Sequence, residues 1–288
     1  MRSFIFFISV KIFSVIQKFF HEKFNINLPG FEFLYGNIKR DYILEVNGSQ
    51  MYFNHKIARA YDRLVAGLWN EPETHLFLYR ILSKITFEVD FIDVGACVGE
   101  FVIDMARHKK VKSVFAYEPV YEGCKSINLS CSINEFKNVN VSNIALANEC
   151  KQAMFNYNLR APGGSSIFEK FNKSYIVNCS TLDIQFPDYR FNCIILADCE
   201  GSEAVVLEGG SNFIRNNLPL IIFEYNDVSR KHFDLNKIQG ILGDEYKIYR
   251  LNYSGYLDTN YNDTWNMVAV NLNSPFYPAV DLFIKGDK

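Results

Sequence analysis

An apolar, strand-like run, Phe91-Ile-Asp-Val94, leads directly into Gly95-Ala-Cys-Val-Gly99, and a second strand-like run ends in Tyr117-Glu118-Pro119. A strand, a glycine turn, a helix and a second strand closed by an acid make a nucleotide-binding βαβ unit. Gly95 and Gly99 let the chain turn tightly, and with Ala96 and Cys97 between them they form a loop that a ligand can approach closely. Glu118, with Pro119 behind it, stands where a carboxylate accepts hydrogen bonds from ribose hydroxyls. The frame is not the dinucleotide one, which opens a helix on a pyrophosphate. Here it reads Asp93-x-Gly95-x-Cys97-x-Gly99, with a carboxylate ahead of the first glycine. An anion there repels phosphate and attracts an ammonium or sulfonium. The cofactor expected is S-adenosylmethionine, with Asp93 receiving its ammonium or orienting the loop.

The rest of the chain bounds what surrounds this unit. With 288 residues, 49% of them apolar and 16% aromatic, one large domain with a substantial core is expected. Thirty Lys+Arg against 32 Asp+Glu leave a net charge of −2, so the global field carries no footprint for nucleic acid. Seven cysteines form no C-x-x-C pair and no zinc-spaced array with histidine, which argues against a structural metal or a disulfide framework and for a reducing cytoplasm. Residues 1–24 are rich in phenylalanine and isoleucine, but Lys11 interrupts them well short of the roughly 20 apolar residues of a membrane span. Lys11, Ser14, Lys18, His21 and Glu22 fall on one helical face, and Arg2, Lys11, Lys18 and Lys23 against Glu22 make the segment +3. An amphipathic helix of this kind packs on its own domain or on a dimer mate; the other reading is peripheral contact with the inner membrane surface.

Residues 1–68 read as an extension, with that helix and a β-hairpin in which Tyr42–Val46 and Met51–Phe53 flank Asn47-Gly48. Residues 69–288 read as the main domain. Glu71-Pro72-Glu73 opens a helix, and strands then alternate with helices: strand 89–94, helix 99–108, strand 112–117, helix 121–134, strands 138–144 and 192–198, helix 202–215, strand 219–225, helix 231–242. Such alternation means a mostly parallel sheet with helices on both faces. An insertion at 148–188 carries two short β-like runs around Gly163-Gly164-Ser165-Ser166, and Tyr246–Arg250 and Asn266–Val270 end the chain as an antiparallel pair.

Asp93-Val-Gly-Ala-Cys-Val-Gly99, Glu118-Pro119, Thr181-Leu-Asp183, Asp198-Cys-Glu-Gly-Ser-Glu203, Leu207-Glu-Gly209 and Pro219-Leu-Ile-Ile-Phe-Glu224 occur in that order. As an ordered set over roughly residues 70–271, they resemble the FkbM-type methyltransferases. The resemblance implies a class I Rossmann-like fold, a seven-stranded, mostly parallel α/β sheet with an antiparallel last strand. It also implies O-methylation of a glycan, lipid-linked sugar or secondary metabolite. Two positions depart from the family pattern: Cys97 stands where it usually has Asn, and Leu196 where it usually has Lys.

Asn143, Ile144 and Ala145 end the third parallel strand and are candidates to border the adenine. Asp198, Glu200 and Glu203 follow the fourth strand, at the crevice where ligands of open α/β sheets bind. Asp198 is expected to help place the cofactor. Asp198 or Glu200 could take the acceptor's proton, with Glu224, Tyr225 and Asn226 at the end of the fifth strand facing the acceptor. Asp198 with Asn226 also suits a divalent cation, but two oxygen ligands carry little weight and no metal is expected. The alternatives are a protein or RNA methyltransferase on the same fold, or a cofactor-binding scaffold without turnover.

Overall fold

The structure, a computed structural model, describes residues 41–57, 67–157, 173–188, 192–261 and 265–285, with Ile12, Val15, Ile16, Phe19, Phe20, Lys23 and Leu64. The helix expected over residues 1–24 thus lies mostly outside the described residues. The six described positions within it are helical, and Ile12, Val15, Ile16 and Phe19 are exposed. Among the described residues no helix is long and apolar enough to cross a membrane.

The hairpin forms as its turn chemistry requires. β1 (Tyr42–Val46) and β2 (Ser49–Phe53) pair in register through Asn47 and Gly48, both at positive φ (46° and 84°), the type I′ turn that matches strand twist. Leu44, Val46, Met51 and Phe53 turn inward and join the main core.

Pro72 opens α1 (Pro72–Lys84), where its missing N–H leaves no bond unmade. β3 (Val89–Val94), α2 (Glu100–Ala106), β4 (Val111–Tyr117), α3 (Tyr121–Ile133) and β5 (Val139–Ser142) make two successive βαβ units, the strands pairing in parallel. β6 (Ala145–Leu146), β7 (Lys151–Tyr157) and β8 (Lys173–Ser180) form a separate three-stranded sheet in which β7 and β8 are antiparallel. The glycine-serine run expected between them lies outside the described residues. After α4 (Leu182–Gln185), β9 (Cys193–Ala197), α5 (Glu203–Glu208), α6 (Ser211–Asn217) and β10 (Leu220–Glu224) return to the main sheet. α7 (Ser229–His232), α8 (Leu235–Leu242), β11 (Tyr246–Leu251), β12 (Leu257–Asp258), β13 (Asn266–Asn271) and α9 (Tyr277–Asp281) complete the chain.

The main sheet has the order β12-β11-β13-β10-β9-β3-β4-β5. Five central and edge strands run parallel, and β13 inserts antiparallel to both β10 and β11. Eight strands replace the seven expected, because two residues of the tyrosine-bearing connection pair with β11 as β12. The helix expected at 202–215 is two helices. Gly209 and Gly210 interrupt it, and a β-carbon on Gly209 would stand 1.9 Å from the Ala147 carbonyl oxygen, so the chain must turn there without a side chain. The helix expected at 231–242 likewise divides at Phe233-Asp234, where the Asp234 side chain caps α8 by accepting the Lys237 N–H.

β3, β9 and β10 are buried along their whole length, as parallel strands covered on both faces must be. Their side chains divide by parity. Phe91, Ile194, Leu196, Leu220 and Ile222 pack toward α1, α2 and α3, while Ile92, Cys193, Ile195, Ile221 and Phe223 pack toward α5, α6 and α8. By the same period of two, Asp93, Asp198 and Glu224 share the face of α1 and α2.

Candidate active site

The glycine loop is clamped between two strand ends. Gly95 N–H and Ala96 N–H both donate to the Tyr117 carbonyl, at 2.9 and 3.2 Å. Gly95 is left-handed (φ 91°), and a β-carbon on it would meet the Asp198 carbonyl oxygen at 1.8 Å. Gly99, also left-handed (φ 86°), faces α3 instead, where a β-carbon would stand 2.8 Å from Ile127. The two glycines therefore do different work: the first lets the loop close on β9, the second seats α2 on α3. Cys97 too is left-handed (φ 46°), a conformation in which Asn is enriched and cysteine is not.

Two clefts open where the loop meets the carboxyl ends of the strands. The first is lined by Gly95, Cys97, Glu118, Pro119, Ala145, Asp198 and Glu200 among the expected residues. Its apolar walls come from Ile57, Tyr117, Leu146 and Phe155, and among the described residues no lysine or arginine lines it. Glu118 is 5% exposed, and its two oxygens accept from Cys97 N–H (2.8 Å) and Val120 N–H (2.6 Å), so the same carboxylate holds the loop and faces the cleft. Burial pushes it up to about 7, against those two donors. Asn143 does not line the cleft. Its Nδ2 donates to the carbonyls of Glu118 and Pro119, each at 2.9 Å, and so fixes the turn that presents Glu118. Ile144 packs into the core on the other face of the sheet.

The second cleft is acidic. Glu71, Glu73, Asp93, Glu100, Asp198, Glu200 and Glu224 line it together with Ala96, Leu196, Tyr253 and Trp265, and among the described residues it too has no lysine or arginine in its wall. Asp93 is buried, and its Oδ2 has no hydrogen-bond partner among the described residues. Burial, then the charges of Glu118, Glu71 and Glu100, push it up to about 8. Glu71 is pushed up to about 7 by burial and by Glu100. Asp198 and Glu224 are raised well above the carboxylate range by burial and then by each other's neighbourhood, with Glu71, Glu200 and Glu203 around Asp198 and with Asp198 and Glu200 nearest in effect to Glu224. Leu196 stands two residues before Asp198 on the same face, so the position where a lysine would enter this cluster carries an alkyl group.

Glu203 is not in either cleft. Fully buried, it accepts from Cys199 N–H at 2.8 Å, from Gly201 N–H at 3.1 Å and from Ser229 Oγ at 3.2 Å, which braces the loop that carries Asp198 and Glu200. Glu200 sits in that loop at φ 50°, a left-handed conformation that a non-glycine residue holds only when its surroundings insist. Asp183 has a similar supporting part, capping α6 by accepting from Phe213 N–H at 2.7 Å and Asn212 Nδ2 at 2.8 Å. Asn226 binds Glu224 Oε1 through Nδ2 at 2.6 Å, and Tyr225 is packed against Phe233. His232 lines neither cleft; its ring lies against Gly201.

Behind the acidic cleft lies a buried cation that the sequence does not announce. His75 is stacked between Trp69 and Phe101, at ring separations of 4.5 and 4.2 Å, with Nδ1 at 2.6 Å from Asp104 and Nε2 at 3.1 Å from Glu100. Burial pulls its pKa down, but the bonds to Asp104 and Glu100 override this and carry it to about 9. Its partners come from the next helix, so no local spacing marks the group. Glu71 shows only as a helix-opening acid, and Tyr253 and Trp265 as loop aromatics.

The family model described as the methyltransferase FkbM domain matches residues 93–250. Among solved structures the chain is similar to the methyltransferase FkbM from Methylobacillus flagellatus KT, at 17% identity over 63% of this chain and 43% of that one, with a TM-score of 0.44. It thus spans less than half the length of that protein. It is also similar to TYW2 of M. jannaschii in complex with AdoMet, at 12% identity over 80% of this chain and 84% of that one (TM-score 0.43). A third is an rRNA methylase from Streptococcus thermophilus, at 11% identity over 69% and 95% (TM-score 0.40). No curated protein sequence matches the chain.

Proposed function

The chain belongs to the FkbM methyltransferase family, and on that premise we propose that it methylates a hydroxyl of a glycan, lipid-linked sugar or secondary metabolite with S-adenosylmethionine. The observation that carries this reading is the wall shared by the two clefts: Gly95, Cys97, Asp198 and Glu200 line both. A donor in the first cleft and an acceptor in the second would meet across that wall.

The residues present fit the cofactor. A cleft with acids at its strand ends (Glu118 and Asp198), apolar walls and, among the described residues, no lysine or arginine suits a nucleoside without phosphate, and Asp93 Oδ2, without a partner among those residues, suits a nearby positive charge. When bound, S-adenosylmethionine supplies a methyl group on a sulfonium, which departs as a neutral thioether. Glu118 would take the ribose hydroxyls, with Asn143 and Pro119 holding its turn and Ala145 against the base. Asp93, which lines the second cleft and not the first, would face the amino-acid end across the shared wall.

On the acceptor side, displacement at a methyl carbon is in line, so holding the oxygen close and aligned is worth up to about 7–11 kcal/mol. The hydroxyl proton needs a base, and Asp198, Glu200 and Glu224 are the carboxylates at the shared wall. Burial and the neighbouring acids raise the proton affinity of Asp198 and Glu224 above that of a carboxylate in water. The acidic cleft also favours a small neutral or cationic acceptor over a phosphate-rich one. Tyr253 and Trp265, 69% and 56% exposed on the cleft wall, offer flat apolar faces to a sugar ring.

The test is incubation of the full chain with radiolabelled S-adenosylmethionine and separated cell glycans, lipids, RNA and protein. Label in the glycan or lipid fraction that survives alkaline hydrolysis, as a methyl ether does and a methyl ester does not, supports the reading. Label confined to RNA or protein, or none despite cofactor binding, overturns it.

A further inference from the structure

We propose that Asp198, Glu200 and Glu224 form a divalent-cation site that seats an oxygen-rich acceptor beside the cofactor cleft. The role given to the cation rests on the methyltransferase reading; its binding does not.

One ligand oxygen from each of the three carboxylates lies within 4.8 Å of the others. The arrangement follows from the fold. Asp198 follows β9 and Glu224 ends β10, neighbours in parallel register, and both project to the face of α1 and α2. Glu200 is brought back over them by the left-handed turn at Glu200-Gly201. An equilateral triangle of that edge has its centre about 2.8 Å from each oxygen, so a slight contraction reaches the 2.3–2.6 Å of calcium–oxygen bonds, and a larger one the shorter bonds of magnesium.

Three clustered acids alone would not identify a site. The second observation is that Glu224, 7% exposed, keeps Oε2 buried with no hydrogen-bond partner among the described residues, while its Oε1 is already taken by Asn226. Leaving a buried carboxylate oxygen unmatched is costly. Among the described residues no lysine or arginine lines the cleft to serve it. Carboxylate oxygens are hard ligands that select magnesium, manganese or calcium over softer metals. Three protein ligands leave the remaining positions of a six-coordinate ion open toward the cleft, where two adjacent hydroxyls of an acceptor can bind.

The experiment is a titration of chelator-treated full-length protein with MnCl2, followed by the electron paramagnetic resonance of free manganese, with S-adenosylmethionine binding measured calorimetrically on the same samples. One saturable site is expected at or below roughly 10⁻³ M, the weak end for oxygen-ligand sites, displaced by magnesium or calcium. Glu224→Gln and Asp198→Asn should each weaken it by at least roughly tenfold. Glu224→Gln should retain the circular dichroism of the parent chain and its S-adenosylmethionine affinity, since Glu224 does not line the cofactor cleft. No saturable manganese binding by the folded chain overturns the proposal, as does binding that both variants leave unchanged. Rejection of manganese with uptake of ethanolamine in its place also overturns it and assigns the acids to an ammonium. Manganese binding without S-adenosylmethionine binding would instead sink the functional reading and leave the cation site standing.

Discussion

The carbonyl oxygen of Asp198 occupies the space that a β-carbon on Gly95 would need, 1.8 Å from where it would stand. The first glycine of the cofactor loop is thus in backbone contact with the strand end that carries the acids, and the two clefts are held in one fixed relation. Asp198 N–H donates to the Val94 carbonyl at 2.9 Å beside it, which ties the same two strands.

Gly95→Ala is therefore expected to damage both clefts together. The new methyl group meets backbone, which cannot swing aside, at a φ of 91° that an L side chain resists. A loss of several kcal/mol in denaturant unfolding is expected, at the large end for single substitutions. A melting temperature equal to the parent's would show that the loop has room to move.

Glu118→Gln should weaken S-adenosylmethionine by roughly 1.5–3 kcal/mol in calorimetry, the range for hydrogen bonds to a charged group. The amide still offers one oxygen to Cys97 N–H or Val120 N–H, so part of the loop's anchorage survives. Unchanged affinity would remove the ribose assignment.

Asp198→Asn and Glu200→Gln should separate binding from turnover. If either is the base, its amide loses roughly 10²–10⁴ in kcat on an identified acceptor, with cofactor affinity held within a few-fold. Near-normal turnover by both would leave positioning, or Glu224, to carry the reaction. Glu203→Gln should lower stability rather than rate, because its carboxylate braces loop amides and touches neither cleft.

His75→Gln is expected to cost about 3–5 kcal/mol of stability, since Asp104 and Glu100 lose their buried cation. A double variant with Asp104→Asn should recover part of that loss; failure to do so would mean that stacking between Trp69 and Phe101 is the larger contribution.

The ligand-free protein should lose stability as pH rises from about 6 to 9, by direction of shift. His75, raised to about 9, contributes fully below its unfolded pKa near 6.5, and that contribution is lost as pH climbs through 9. Asp93, raised to about 8, and Glu71 and Glu118, raised to about 7, bind protons more tightly folded than unfolded, so ionising them also works against the fold. The slopes share one sign. Melting curves that rise over this interval would contradict the picture.

Much of the architecture is local, and for that reason legible. Asn47-Gly48 can serve few turns other than the one it makes, Pro72 fits a helix's first turn, and apolar runs such as those of β9 and β10 belong in a parallel sheet covered on both faces. Strand ends follow from such runs, so Asp93, Glu118, Asp198 and Glu224 could be placed at the crevice from their order alone. Where one helix becomes two, the cause is distant: Gly209 yields to the carbonyl of Ala147, and Asp183 rather than a nearby residue caps α6.

Sequence alone thus determined the sheet, its glycine loop and which strands end in acids, because each depends on neighbours within a few residues. Only tertiary structure decided that Asp198, Glu200 and Glu224 converge within 4.8 Å, that Gly99 serves helix packing, and that His75 is a cation beneath the acidic cleft. Those facts turn on the parity of parallel strands and on side chains arriving from separate helices. Charge density in a buried cleft is a property of that convergence, and no single segment of the chain contains it.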